Sequence, residues 1–433
     1  MRAWQISTND RVPARHGDSI QTEARTVSRW RLLFSRDFGL VWLSQLVSQV
    51  GDGISNLALL WFVYSITGSP VKTVIIGLLH TIPPIVLGPV IGVYVDRLPK
   101  KIFLIGSNAL RAVLIGIIPC VVSTDTFTVN LLYSLVLFDA VAMATFSPAL
   151  TSSVPLIVPR EQYTAANALI QSTTSLGIIF GPAVSGIGIS LFGSQEVLCL
   201  NAFTYFIAAL CLGLVRIGAP LSSIGLKKTS SSALQDFIEG LVFVAIKQRV
   251  ILLLIAAAAC YGFGASALTT LFPVFARKLL GLGPVEVGYL WSALGVGLLL
   301  MSMTLLRITE WNLSDRTRII AGASVASAVA IGVLIWTNNL LLIGLLMIVI
   351  GGGMGAFTPI AWGIVQEITP GTLVGRVMSL YSTGAMAAAI SGISLFGWVT
   401  ERLGESIGVA GIGAMFLLTA SLGGWLSWST RHR

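Results

Sequence analysis

Long apolar runs recur along this chain from Phe38 to its end, and they constrain the fold more than any motif does. The bilayer core is about 30 Å thick, and a helix needs roughly 20 apolar residues to cross it. The runs reach this length with hardly any polar spacer between them. Charged residues make up only 10% of the 433 residues, whereas a soluble domain carries about 25% to cover its surface. The chain is therefore predicted to be a polytopic membrane protein.

The spanning elements are expected to be α-helices, because a helix satisfies its own backbone hydrogen bonds within lipid. The runs are continuous, whereas the strands of a membrane barrel alternate apolar and polar residues. The pattern predicts twelve spans, at 38–66, 71–95, 102–122, 128–150, 164–192, 196–216, 250–276, 285–306, 317–336, 340–362, 376–400 and 407–429.

The second half of the chain repeats the first at a fixed offset of 211 residues. At this offset seven glycines fall on glycines and two prolines on prolines, as in Gly51/Gly262 and Pro148/Pro359. One offset that holds from the first span to the last predicts two pseudo-symmetric six-helix bundles, an arrangement in which the substrate site lies between the halves. The predicted division is a tail at 1–37, bundles at 38–216 and 250–429, a linker at 217–249 and a C-terminus at 430–433. Residues 234–242 have helical apolar spacing, so a surface helix and a plain connector both remain open.

The distribution of cations predicts the orientation. With the N-terminus inside, 22 of the 27 Lys and Arg residues fall in cytoplasmic segments and four in outer loops. Positive charge marks the cytoplasmic side, so both termini are expected there, and the arginine-rich tail lacks the apolar region of a signal peptide. The net charge of +9 is then a consequence of topology and of contact with anionic lipid. No nucleic-acid partner is expected, since the basic residues form no aromatic-interleaved face.

A charged motif follows the second span: Gly92-Val-Tyr-Val-Asp96-Arg97-Leu-Pro-Lys100-Lys101. It resembles G-x-x-x-D-R-x-x-[RK]-[RK], the signature of the major facilitator superfamily between spans 2 and 3, although a proline stands where the family usually has glycine. The resemblance implies a cytoplasmic gate in which Asp96 and Arg97 meet Arg376 at the start of span 11. An acid at that end can face the positive N-terminus of a neighbouring helix. The alternative is that these residues are only topology-setting loop charges.

Span 5 contains Gly177-Ile-Ile-Phe-Gly181-Pro182-Ala-Val-Ser-Gly186. It is similar to the antiporter motif of the family's drug and metabolite exporters, although Gly186 comes one position later than the usual glycine pair. Small residues four apart let helices approach closely, and a proline removes a backbone hydrogen bond and kinks the span. Ordinary small-residue packing is the alternative.

Three charged residues stand well inside spans: Asp52 in span 1, Arg111 in span 3 and Asp139 in span 4. A charge in mid-bilayer costs several kcal/mol unless it is paired or faces water. A carboxyl group that alternates between an apolar surrounding and a cation can load and release a proton. We therefore predict Asp52 as the leading proton-coupling residue, Asp139 as the second and Arg111 as their counter-charge. A fixed ion pair that joins spans 1, 3 and 4 is the alternative.

The candidates for a substrate cavity are Gln49, Asn56, Trp61, Tyr261 and Phe263, although packing and interface belts explain most aromatic residues in membrane proteins. His80, the only histidine within a span, is expected to have a structural or outward-facing role. The chain has no H-E-x-x-H zinc motif and no phosphate-binding loop of the G-x-x-x-x-G-K-[ST] type. We therefore expect no metal, no cofactor and no enzymatic activity.

Further stretches are similar to the family branch that includes macrolide-efflux and enterobactin-exporter proteins: Gly51-Asp52-Gly53-Ile54, Ala166-Asn167-Ala168 and Gly375-Arg376-Val-Met378. The resemblance implies a proton-coupled exporter of small amphipathic molecules (drug, antibiotic or siderophore) in the plasma (inner) membrane of a bacterium. We expect it to act as a monomer. A facilitator or importer of a polar metabolite and a lipid translocator remain alternatives.

Overall fold

The computed structural model describes residues 29–97, 99–122, 128–159, 162–216, 249–306, 312–370 and 373–431. Within these ranges a short 3₁₀ helix, Arg29–Phe34, precedes twelve α-helices. They are α1 (Arg36–Thr67), α2 (Pro70–Arg97), α3 (Lys100–Val122), α4 (Val129–Ile157), α5 (Tyr163–Phe192), α6 (Ser194–Leu214), α7 (Arg249–Lys278), α8 (Pro284–Leu306), α9 (Leu313–Leu334), α10 (Leu340–Ile368), α11 (Val374–Leu403) and α12 (Glu405–Arg431). Each contains a stretch long and apolar enough to cross a membrane.

The helices match the predicted spans in number and order, and the largest differences lie at two ends. Helix α4 continues to Ile157 and α10 to Ile368, several residues beyond the predicted ends at 150 and 362. Apolar length predicts where a helix leaves the hydrocarbon, whereas its hydrogen bonding can continue into water. Two prolines, Pro148 and Pro155, lie inside α4, as membrane helices tolerate when neighbouring groups satisfy the freed backbone.

The twelve helices form two bundles with the same internal packing. In the first half (α1–α6), α1 packs on α5 and α6, and α3 packs on α4 and α6. In the second half (α7–α12), α7 packs on α11 and α12, and α9 packs on α10 and α12. The predicted fold class, twelve helices in two pseudo-symmetric six-helix bundles, is confirmed. Residues 234–242, for which a surface helix and a plain connector are both open, lie outside the described residues, and the domain bounds stay a prediction.

The two halves meet through α5 against α8, α2 against α7 and α11, and α1 against α7. We call the side where α1 begins and α12 ends the termini face, and the side of the α1–α2 connection at Gly68 the opposite face. Glu401 near the end of α11 accepts hydrogen bonds from Ser69 Oγ (2.5 Å) and from the backbone nitrogen of Val71 (3.0 Å). Because Ser69 and Val71 belong to the first half, this contact joins the two halves at the opposite face.

Candidate functional site

A cluster of charged side chains lies inside the first half, where α1, α3, α4 and α6 converge. Arg111 of α3 donates from Nη2 to Asp52 Oδ1 of α1 at 2.7 Å. Its Nε donates to Asp139 Oδ1 of α4 at 3.1 Å. The three charges singled out in the sequence therefore meet, and one guanidinium lies between two carboxylates.

Tyr205 of α6 completes the cluster, and the sequence analysis did not single it out. Its hydroxyl donates to Asp52 Oδ1 at 2.5 Å and accepts from Arg111 Nη2 at 2.6 Å. The guanidinium also lies over the phenol ring, 4.2 Å from its centre. One signal was available: Tyr205 stands near the middle of a 21-residue helix, whereas tyrosines of an interface belt lie near helix ends.

The cluster is buried except along one edge of Asp52. The side chains of Arg111 and Asp139 are 6% and 3% exposed, and that of Asp52 is 24% exposed. Gln49 donates to the second carboxylate oxygen of Asp52 at 3.3 Å. Gln49, Asp52 and Asn56 are spaced three and four residues apart, so they share one side of α1. Asn56 is exposed, so this side of α1 is the accessible one.

The small residues of the span-5 motif contact both halves. Gly177 and Gly181 pack against α1, where an added side chain at Gly181 would meet the backbone of Gly53. An added side chain at Gly186 would instead meet the backbone of Pro284 and Gly288 in α8. Gly177 and Gly181 therefore let α5 approach α1 in its own half, and Gly186 lets it approach α8 in the other half. Its antiporter role stays a prediction.

The residues predicted to form the cytoplasmic gate lie at the ends of α2, α3 and α11. Gly92, Asp96 and Arg97 belong to α2, but their side chains lie outside the described part of the structure. Lys101 donates from Nζ to the carbonyl oxygens of Gly213 (2.7 Å) and Val215 (2.8 Å) at the end of α6. Lys100 and Arg376 lie in the first turns of α3 and α11. The gate itself stays a prediction.

Three aromatic residues predicted to line a cavity lie in packed surroundings. Trp61 is buried near the opposite face, with the guanidinium of Arg277 5.4 Å from its ring centre. Tyr261 stacks on Phe357 at 4.3 Å. Phe263 meets Phe396 edge to face at 5.6 Å. All these rings except Trp61 belong to the second half.

The cluster contains two carboxyl groups and one guanidinium. Among the described residues, no group of three or more His, Cys, Asp or Glu side chains is placed to hold a metal ion. When both carboxylates are ionised, the single cation Arg111 leaves one negative charge in excess.

Comparison with known proteins gives a consistent assignment. Residues 41–393 match the model of the Major Facilitator Superfamily. The chain is 23% identical to macrolide efflux protein A of Streptococcus pyogenes, over 91% of this chain and 94% of that protein. It is 26% identical to the multidrug efflux pump Tap of Mycolicibacterium fortuitum, over 84% of this chain and 89% of that protein.

A solved structure shows the same fold. A bacterial homologue of the human lysosomal transporter Spinster, in an inward-facing and unoccupied conformation, superimposes with a TM-score of 0.63 at 13% identity. The match covers 91% of this chain and 98% of the other. The chain belongs to the Major Facilitator Superfamily and is a multi-pass membrane transporter.

Proposed function

We propose that this member of the Major Facilitator Superfamily is a proton-coupled exporter of small amphipathic molecules that works by alternating access. The proposal places it in the plasma (inner) membrane of a bacterium as a monomer, with the termini face in the cytoplasm. The observation that carries it is the buried cluster of Asp52, Arg111, Asp139 and Tyr205, one edge of which is accessible. Relatives named as macrolide and multidrug efflux proteins support the direction and the substrate class.

The charge count of the cluster gives the coupling its physical basis. A buried charge without a partner costs several kcal/mol, so the excess negative charge favours uptake of one proton. Asp52 is the carboxyl group that a proton can reach from the accessible side, because its side chain is 24% exposed while that of Asp139 is 3% exposed. Protonated Asp52 would hold Arg111 less strongly, which links the proton to the ion pair between α1 and α3.

The contacts between the halves give the conformational side of the cycle. Release to the outside requires that the opposite face opens, so the bonds of Glu401 to Ser69 and Val71 must break. At Gly186 and Gly288 the contact of α5 with α8 is between backbones, and Ile178 and Ile179 of α5 lie against Gly295 of α8 further along the same pair of helices. The halves can therefore rock about this contact while the hydrogen bonds that Glu401 accepts from Ser69 and Val71 break and form again.

Purified protein in proteoliposomes with an imposed pH gradient tests the proposal. The probes are a macrolide, a lipophilic cation and a siderophore, each labelled. We expect accumulation of at least one probe against its gradient when protons flow the other way, and collapse of that accumulation on adding a protonophore. Probe that merely equilibrates, at a rate independent of the pH gradient, would contradict proton coupling and indicate a facilitator.

A further inference from the structure

A stripe of polar residues runs along the inner side of α1. Gln45, Ser48, Asp52 and Ser55 are spaced three, four and three residues apart, so they lie on one side of the helix. Gln45, Ser48 and Ser55 are buried. Ser48 donates to Asn108 Oδ1 of α3 at 3.3 Å, which shows that the stripe points into the interior of the first half. We call these four residues the α1 polar stripe.

Two ends of the stripe have polar atoms without a protein partner. Within the described ranges, Gln45 Oε1 and Ser55 Oγ are buried and accept or donate no hydrogen bond to protein. The same holds for Asn201 Nδ2 of α6, whose side chain lies against Gly51, one turn from Ser55. Buried polar atoms are almost always bonded to protein or to ordered water. Buried water, which makes about three hydrogen bonds, suits such a site.

The second half shows that helix packing does not require the stripe. At the offset of 211, Gln45, Ser48 and Asp52 fall on Ala256, Ala259 and Phe263 of α7, and only Ser55 keeps its hydroxyl, at Ser266. Helix α7 packs between α11 and α12 as α1 packs between α5 and α6. Alanine and phenylalanine therefore serve the same packing, and the polar residues of α1 need another explanation.

We propose that the α1 polar stripe binds water and carries protons through the interior of the first half between its termini-face end and Asp52. This inference rests on the proposed proton coupling. Hydroxyl groups and water both donate and accept hydrogen bonds, so a proton on the carboxylate of Asp52 can pass by successive exchanges to the end of the stripe beside Gln45 and leave at the termini face. The same route runs in reverse when Asp52 takes up a proton. No electrons move, and each carrier returns to its neutral form. A substrate beside Gln49 and Asn56 would leave this route open.

The groups that surround Asp52 come from α2, α3, α4, α5 and α6. Arg111 and Tyr205 contact it from α3 and α6. Asp139 of α4 shares the guanidinium, and His80 of α2 lies within electrostatic range. Helix α5 presents Gly177, Gly181 and the ring of Pro182. The other three residues of the stripe, Gln45, Ser48 and Ser55, add hydroxyl and amide groups but no charge, which fits a path rather than a second proton site.

Time-resolved infrared spectroscopy after a pH jump tests the inference without any substrate. The protonated carboxyl band of Asp52 is identified in the purified full chain as the band that Asp52→Asn removes. We expect Gln45→Leu and Ser48→Ala to slow its appearance by up to about 10²-fold, the lower end of what a positioned proton-transfer group contributes, with an unchanged final amplitude. Ser48→Thr, which keeps the hydroxyl, should retain the wild-type rate.

The matched control is Ser266→Ala in α7, at the position equivalent to Ser55, which should leave the rate unchanged. Equal rates in Gln45→Leu, Ser48→Ala and wild type would overturn the path, while proton coupling at Asp52 would still stand. Absence of any band sensitive to Asp52→Asn would overturn both proposals. If Ser48→Ala does not fold, Gln45→Leu alone decides, because its Oε1 has no protein partner to lose.

Discussion

The two halves have the same helix packing, yet they differ at the four positions of the charged cluster. At the offset of 211, Asp52, Arg111, Asp139 and Tyr205 fall on Phe263, Gly322, Ile350 and Phe416. Where the first half joins its helices by ion pairs, the second has rings, with Tyr261 meeting Phe416 at 6.0 Å and Phe263 meeting Phe396 at 5.6 Å. Three of these counterparts are apolar side chains and the fourth is a glycine, so the comparison teaches that this fold does not require charge at these positions.

An ion cluster that the fold does not require is evidence for a function, because buried ions are costly to retain. Replacing buried ion pairs by apolar groups is often neutral or stabilising, whereas removing one partner is strongly destabilising. The second half has the apolar solution, and the first half keeps the ionic one. The following substitutions test whether proton coupling is confined to the first half, while the matching positions of the second half serve only helix packing.

The largest effect is expected from Arg111→Leu, which leaves Asp52 and Asp139 buried without their counter-charge. Breaking a buried pair in this way costs about 3–5 kcal/mol, so thermal unfolding in detergent should occur at a much lower temperature. The control is Gly322→Ala at the matching position of the second half, where an added methyl group meets no atom within 4 Å. It should unfold at or slightly above the wild-type temperature, because alanine favours helices more than glycine does.

The triple variant Asp52→Asn/Arg111→Leu/Asp139→Asn sharpens the comparison by giving the first half an uncharged centre like that of the second. We expect it to recover most of the stability that Arg111→Leu loses and to show no response to a pH gradient. A triple variant as unstable as the single one would mean that the cluster serves to hold α1, α3 and α4 together.

A smaller effect is expected from Tyr205→Phe, which gives this position the residue type of its counterpart Phe416. It removes one hydroxyl that bonds both Asp52 and Arg111. Hydrogen bonds to charged groups contribute about 1.5–3 kcal/mol, so unfolding should shift moderately. The pH dependence of transport should shift as well, because the carboxylate loses a donor. An unchanged pH profile would exclude Tyr205 from the coupling site.

The smallest effect is expected from Tyr261→Phe, the same deletion in the second half. Its hydroxyl donates to the carbonyl oxygen of Met354 at 3.1 Å, and a neutral hydrogen bond contributes about 0.5–1.5 kcal/mol. The unfolding temperature should fall slightly, and the pH profile of transport should match wild type. If the pH profile of Tyr261→Phe shifted as far as that of Tyr205→Phe, the claim that only the first half takes part in proton coupling would be wrong.

Sequence reasoning predicted the fold well because the bilayer imposes it. Runs of apolar residues and a single offset were sufficient to predict twelve helices and two bundles, since a spanning helix has few alternatives. Helix ends were less predictable, because α4 and α10 continue beyond the apolar stretch to Ile157 and Ile368. Nothing in hydropathy indicates where a helix stops once it has left the hydrocarbon.

The site was predictable only where it carries charge. The cost of burying an ion singled out Asp52, Arg111 and Asp139. Tyr205 was not predicted, because packing and interface belts explain most tyrosines in membrane helices. The roles of Trp61, Tyr261 and Phe263 depend on which side of each helix faces the neighbouring half, and the aromatic residue type alone does not indicate that side.

The most direct test of coupling at Asp52 is transport by Asp52→Asn in proteoliposomes, with and without an imposed pH gradient. Phe263→Leu, at the matching position of α7, serves as the control. We predict that Asp52→Asn still binds and equilibrates the probe but that its rate no longer depends on the gradient, while Phe263→Leu keeps the wild-type dependence. Asp52→Asn that transports at the wild-type rate with the wild-type response to the gradient would contradict the account.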